Sequence, residues 1–133
     1  MRSASRRTNG DDSPLPRLET GIDIVEIDRI EHIIDRHGQV FLDRVFTEGE
    51  LRQCRGKAQS LAARFAAKEA AFKVLGAQVG WRQVEVMREP SGKPRLVLHE
   101  RAREKAMQLG LRSWALSLSH CEKYAVAVVV ATG

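Results

Sequence analysis

The sequence predicts an α+β protein in which an antiparallel sheet of three to four strands packs against a long central helix, with smaller helices beside it. Three observations carry this expectation. Two apolar stretches near the ends of the chain, residues 19–27 and 124–131, have strand character. Between them, a segment that begins at Ser60 or Leu61 and stops at Gly76 is alanine-rich and apolar on nearly all sides, as a helix in the middle of a domain would be. Two further alternating stretches, residues 84–88 and 113–119, are each followed by a turn and a returning partner.

The elements can be justified in order. Residues 1–17 are polar, carry Pro14 and Pro16 and show no periodicity, so they read as a disordered leader before a single domain over residues 18–133. In the first strand Ile22, Ile24, Val25 and Ile27 are apolar. Helical spacing then takes over at Ile27, Ile30, Ile33 and Ile34, until Gly38 interrupts it. Phe41, Leu42, Val45 and Phe46 form a second short apolar face. Thr47 and Glu50 stand at capping-box spacing, so a short helix follows, ending near Gly56. The central helix has four charged exceptions: Arg64, Lys68, Glu69 and Lys73. Residues 84–88 and 94–98 make a hairpin around a turn at 89–93. Residues 100–109 form an amphipathic helix stopped at Gly110. Trp114, Leu116 and Leu118 share one face of the next strand, and residues 120–123 turn the chain into the last strand. The strands read as a meander with the helices on one face.

With 133 residues the chain can bury a core without disulfides. No apolar run approaches the length of a membrane span, and no apolar segment follows Arg2, Arg6 and Arg7, which argues against a secretory signal. Cys54 and Cys121 sit in no metal-ligand spacing and read as reduced thiols of a cytoplasmic protein. A net charge of +5 favours an anionic partner, whether nucleic acid, a phosphorylated ligand or an acidic protein. No basic tract interleaves with aromatics, so nucleic acid is the weaker choice.

Two carboxylates stand among apolar residues, where an unpaired charge is costly. Leu61, Phe65, Glu69 and Phe72 share one side of the central helix, with Lys73 four residues beyond Glu69. From the helix alone, an internal Glu69–Lys73 ion pair is the simplest reading. Asp23 changes that weighing. In a strand it faces away from Ile22 and Ile24, on the same side as Val25, and must be capped, paired or metal-bound. If the strand and the helix are neighbours, Asp23 and Glu69 could share one hard cation, with a lysine facing the same phosphates. Such a set suits phosphoryl transfer.

At this point the chain resembles the holo-[acyl-carrier-protein] synthases, the short 4′-phosphopantetheinyl transferases. Residues 21–30, GIDIVEIDRI, and residues 64–76, RFAAKEAAFKVLG, match two motifs of that family. Gly92-Lys93-Pro94 matches its G-x-P turn. Ser117-Leu118-Ser119-His120 and Tyr124-Ala125-Val126-Ala127 match its last motifs, all in the right order. The resemblance implies the 4′-phosphopantetheinyl transferase fold. It also implies transfer of 4′-phosphopantetheine from coenzyme A to a serine of an acyl carrier protein, with release of adenosine 3′,5′-bisphosphate.

Asp23 and Glu69 match the family's magnesium ligands, with manganese as an alternative, and Lys73 matches the lysine that assists the leaving phosphate. Arg64, Lys68, Gly92, Pro94 and His120 match residues around the nucleotide of coenzyme A. Arg29 and Arg36, seven apart on one helical face, match the surface that docks an acidic carrier, and Arg44 extends it. The serine proton would pass to Asp23, to Glu69 or to a metal-linked water. The family is a homotrimer with sites between subunits, and residues 124–130 are the candidate trimer core. The loop after Gly76 is several residues shorter than the family's. The resemblance implies a carrier of fatty-acid synthesis, of polyketide synthesis or of both.

Two competing expectations stand beside this one: a relative that binds coenzyme A or a carrier without transfer, and a basic nucleic-acid-binding domain. His32, His37 and His99 read as surface residues, and Phe41 and Trp114 as core.

Overall fold

A computed structural model describes residues 17–133. The expected leader lies outside the described residues except for Arg17. The chain runs β1 (Leu18–Glu26), α1 (Ile27–His37), α2 (Gln39–Val45), α3 (Glu48–Cys54) and α4 (Ala58–Leu75). A 3₁₀ turn (Trp81–Gln83) leads into β2 (Val84–Arg88), followed by β3 (Pro94–Leu98), α5 (Glu100–Gln108), β4 (Ser113–His120) and β5 (Tyr124–Thr132).

Local chemistry explains where these elements begin and end. Thr47 caps α3 with its hydroxyl while the Glu50 side chain accepts from the Thr47 N–H, the reciprocal capping box expected from the spacing. Gly76 takes the left-handed conformation at the end of α4. Its N–H bonds Lys73 O, and the Ala77 N–H reaches back to Phe72 O, the two bonds of a Schellman stop.

The strands do not form one meander. A three-stranded sheet has the order β1-β5-β4, and β2-β3 is a separate hairpin sheet. The last strand lies in the middle because both of its faces are apolar. Ala125, Ala127, Val129 and Ala131 are buried on the inner face, while Val126, Val128 and Val130 are half-buried on the outer one. A strand of that composition is stable only where both edges are paired.

Helix α4 lies across the inner face of β1 and β5. Gly21 permits the close approach of β1, because a Cβ there would overlap the carbonyl oxygen of Ala70. The outer face of the sheet is different. Ile22 and Ile24 are 59% and 62% exposed and stand opposite Val128 and Val126 in register. With Leu18 they make a continuous apolar surface that one chain leaves open.

Candidate active site

The site is built where β1 meets α4. The period of the strand turns Asp23 inward with Gly21 and Val25, while Ile22 and Ile24 face out, as the alternation requires. Glu69 and Lys73 lie one turn apart on α4. The Lys73 ammonium donates to the carbonyl oxygen of Ile22 at 2.7 Å and to Oδ1 of Asp23 at 3.2 Å. The Glu69–Lys73 pair favoured by the helix alone is therefore not the ion pair that forms; Lys73 crosses to β1 instead.

The Glu69 carboxyl is held above the usual carboxylate range. Partial burial is the main cause and the negative charge of Asp23 the second, while Lys73 and Arg29 oppose them. These causes gather Asp23, Glu69, Lys73 and Arg29 into one electrostatic cluster. Arg29, expected only as a carrier contact, lies close enough to act on Glu69.

Sheet register brings in His120. It pairs with Ala125, which pairs with Val25 on the other side of β5. His120 thus belongs to the same inner face as Asp23, one pleat further along and two strands away, a separation of about 10 Å across the ladder. It is exposed at the end of β4.

The structure places Arg64 and Lys68 in the core. Both were expected at the nucleotide, yet Arg64 is 2% and Lys68 0% exposed. Lys68 spends its three N–H bonds on Oε1 of Glu50 at 2.9 Å, Trp81 O at 3.0 Å and Val84 O at 2.6 Å. Arg64 donates to Val86 O at 2.8 Å and to Oε1 of Gln53 at 3.1 Å. With its three donors spent in the core, Lys68 has none left for a phosphate, while Arg64 is held by burial and by its bonds to β2 and α3. Burial lowers the proton affinity of Lys68, and the adjacent Glu50 opposes that shift.

Gly92 and Pro94 sit at the tip of the β2–β3 hairpin, in the second sheet, where Gly92 has φ +92° and its N–H bonds Glu89 O at 2.7 Å. No hydrogen bond among the described residues ties them to Asp23 or Glu69. Arg36 is exposed on α1. Arg44, exposed on α2, borders an open cleft of about 490 Å³ together with Thr47, Trp81, Arg82 and His99.

Two features were not read from the sequence. Glu50 was legible only as a capping residue, yet it is fully buried and pairs with Lys68. The signal was present, since a lysine inside an alanine-rich buried helix requires an anion. His99, read as a plain surface residue, is exposed but places Nε2 3.0 Å from Oε1 of Glu85, whose Oε2 accepts from the Thr47 hydroxyl at 2.6 Å. Burial works to raise the Glu85 carboxyl, but the hydrogen bonds from Thr47 and His99, with the charges of His99 and Lys68, together outweigh it and leave the group below its ordinary value.

Comparison with known proteins agrees with this architecture. A family model described as the 4′-phosphopantetheinyl transferase superfamily matches residues 19–129. The holo-[acyl-carrier-protein] synthase of Herpetosiphon aurantiacus is 49% identical over 126 residues, covering 87% of this chain and 99% of that one. That of Moorella thermoacetica is 50% identical over 119 residues, covering 85% and 92%. Among solved structures, the Helicobacter pylori synthase in complex with coenzyme A aligns with a TM-score of 0.77 at 34% identity, over 84% of this chain and 98% of that one. The Neisseria meningitidis synthase aligns with a TM-score of 0.75 at 34% identity, over 85% and 96%. With its sheet order, its inward carboxylates and these matches along nearly the whole described domain, the chain belongs to the holo-[acyl-carrier-protein] synthase family of 4′-phosphopantetheinyl transferases.

Proposed function

We propose that the cluster of Asp23, Glu69 and Lys73 is the centre at which this chain transfers 4′-phosphopantetheine from coenzyme A to a serine of an apo acyl carrier protein. The serine Oγ forms a bond to the β-phosphorus of the coenzyme A diphosphate. The bond from that phosphorus to the bridging oxygen breaks, and adenosine 3′,5′-bisphosphate leaves. The observation that carries the assignment is Lys73, held 3.2 Å from Asp23 beside a Glu69 whose proton affinity is raised.

The two carboxylates fit a hard divalent cation, magnesium or alternatively manganese. They repel one another, which is part of why Glu69 holds its proton more tightly, and a shared cation would relieve that repulsion. Among the described residues no group of three or more His, Cys, Asp or Glu side chains gathers for a metal. The remaining positions would fall to water and diphosphate oxygens, the habit of magnesium. When bound, the cation neutralises diphosphate charge that builds up during transfer.

The chain's own residues do the rest. Lys73 adds positive charge where the departing phosphate gains negative charge. The serine proton would pass to Asp23, to Glu69 or to a metal-linked water beside them. His120 on the shared inner face, with Gly92 and Pro94 at the hairpin tip, are the residues left to hold the nucleotide once Arg64 and Lys68 are assigned to the core. Arg29, Arg36 and Arg44 form the basic face for an acidic carrier, contributing mainly to on-rate and orientation. The open apolar face of β1 and β5 supports assembly with further copies, and we place the protein as a homotrimer through that face. No helix among the described residues is long and apolar enough to cross a membrane. Two free thiols favour the cytoplasm.

The test is the intact mass of an apo acyl carrier protein after incubation with this chain, coenzyme A and magnesium. A gain of about 340 Da, the increment of covalent phosphopantetheine transfer, that disappears with EDTA is expected. No gain on fatty-acid or polyketide carriers would overturn transfer in favour of a binding-only relative.

A further inference from the structure

We infer that Glu50 is a positioning residue for Glu69. It acts through Lys68, by fixing the rotation of α4 about its own axis. The inference rests on the reading of Asp23 and Glu69 as one metal-binding pair.

The problem it addresses lies in the surface of α4. Ala62, Ala63, Ala66, Ala67, Ala70 and Ala71 are all buried. Between Leu61 and Val74 only Phe65 and Phe72 are large apolar residues. Helices take up a unique orientation when ridges of large side chains enter grooves. Phe65 and Phe72 pack on Trp81, but the alanine faces between them have shallow ridges, and there a turn of a few degrees changes the buried apolar area little. Directional bonds therefore help to set the rotation.

Beside the Lys73 bonds to β1, those on the side of α3 and β2 come from one row of the helix. Arg64 and Lys68 lie one turn apart and face α3 and β2. Lys68 is the tighter of the two, with all its donors spent on one carboxylate and two carbonyls. The carboxylate is itself immobilised. Oε1 of Glu50 also accepts from Thr47 N at 2.8 Å, and Oε2 accepts from Val86 N at 2.8 Å. Both side chains of the pair are 0% exposed. The capping box of α3 therefore serves a second purpose: it aims Glu50 at α4.

Glu69 is the next residue after Lys68, so its direction follows from that of Lys68 by the helical step of about 100°. At the roughly 5–6 Å outer radius of a helix, a rotation of about 10° would move the Glu69 carboxylate by about 1 Å. A displacement of that size matters at a reacting centre, where about 1 Å can cost on the order of a hundredfold in rate. Lys73, which reaches β1 from one turn further on, would move with it.

The test compares wild type, Glu50→Gln, and the double variant Glu50→Leu with Lys68→Met, which removes both charges and keeps the core filled. Manganese binding is followed by electron paramagnetic resonance with coenzyme A present, and folding by circular dichroism and melting. Breaking one partner of a buried pair is more damaging than replacing both, so the double variant should melt higher than the single one. Both variants are expected to bind manganese about 10-fold or more weakly, the usual effect of losing a group that orients a metal ligand. If Glu50→Gln does not fold, the double variant carries the comparison alone. A folded double variant with wild-type manganese affinity would overturn the inference. So would a wild type that binds no manganese, which would also remove the metal reading. A wild type that binds manganese but adds no mass to a carrier would sink the proposed transfer and leave the positioning role standing.

Discussion

Lys73 on α4 donates to Oδ1 of Asp23 at 3.2 Å, joining a helix to a strand fifty positions earlier in the chain. The same ammonium bonds Ile22 O at 2.7 Å, so it is anchored by backbone as well as by charge. Its side chain remains 54% exposed, which leaves N–H directions open to solvent and to a substrate phosphate. A half-exposed pair contributes little to stability.

Replacing Lys73 by methionine should therefore separate function from folding. The expected loss in kcat is about 10²- to 10³-fold, the scale of one preorganised electrostatic group. The melting temperature should stay close to that of wild type. The check is transfer kinetics on a carrier alongside a thermal melt, and wild-type kcat in this variant would remove Lys73 from the site.

Glu69 makes a prediction with a sign. Its folded proton affinity lies above that of the unfolded chain, first because of burial and then because of Asp23. In the pH window just above the ordinary glutamate range the native state thus holds more protons, and stability falls as pH rises through it. The charged form is a burden at neutral pH. Glu69→Gln should raise the melting temperature of the metal-free protein modestly at neutral pH, with the advantage vanishing in acid, while abolishing metal-dependent transfer. Protons and metal compete for the same carboxylate, so the magnesium needed for half-maximal activity should climb as pH is lowered into that window. A glutamine variant that retains full activity would sink the metal assignment.

Gly21 is expected to tolerate no side chain. A methyl group there meets the Ala70 carbonyl and also lies 3.0 Å from Cγ2 of Val74, so β1 must move off α4. Overpacking of this kind costs about 1–3 kcal/mol. Because Asp23 lies two residues on, Gly21→Ala should lower transfer as well as stability. Denaturant unfolding and a transfer assay on the same preparation would read both, and an unchanged unfolding midpoint would contradict the close approach.

Much of the fold could be read locally. Thr47 and Glu50 announced the start of α3, Gly76 the end of α4, and the turn at residues 89–93 the β2–β3 hairpin. Alternation along β1 turned Asp23 inward. What a linear reading could not supply lay across the chain. The expected meander gave way to the order β1-β5-β4. Arg64 and Lys68, matched by motif to a ligand, proved to be core residues. His99 turned out to be tied to Glu85.

The sequence by itself determined most of the elements and their stops, the alternation that turns Asp23 inward and which two carboxylates stand among apolar neighbours. Caps, turns and side-chain periods act over a few residues, so a linear reading contains them. Only the tertiary structure decided which cation answers which anion. Lys68 could have served Glu50 or a phosphate, and Lys73 could have served Glu69 or Asp23. Nothing local separates these choices, because each depends on which element packs beside α4 and on how much water is left at the contact.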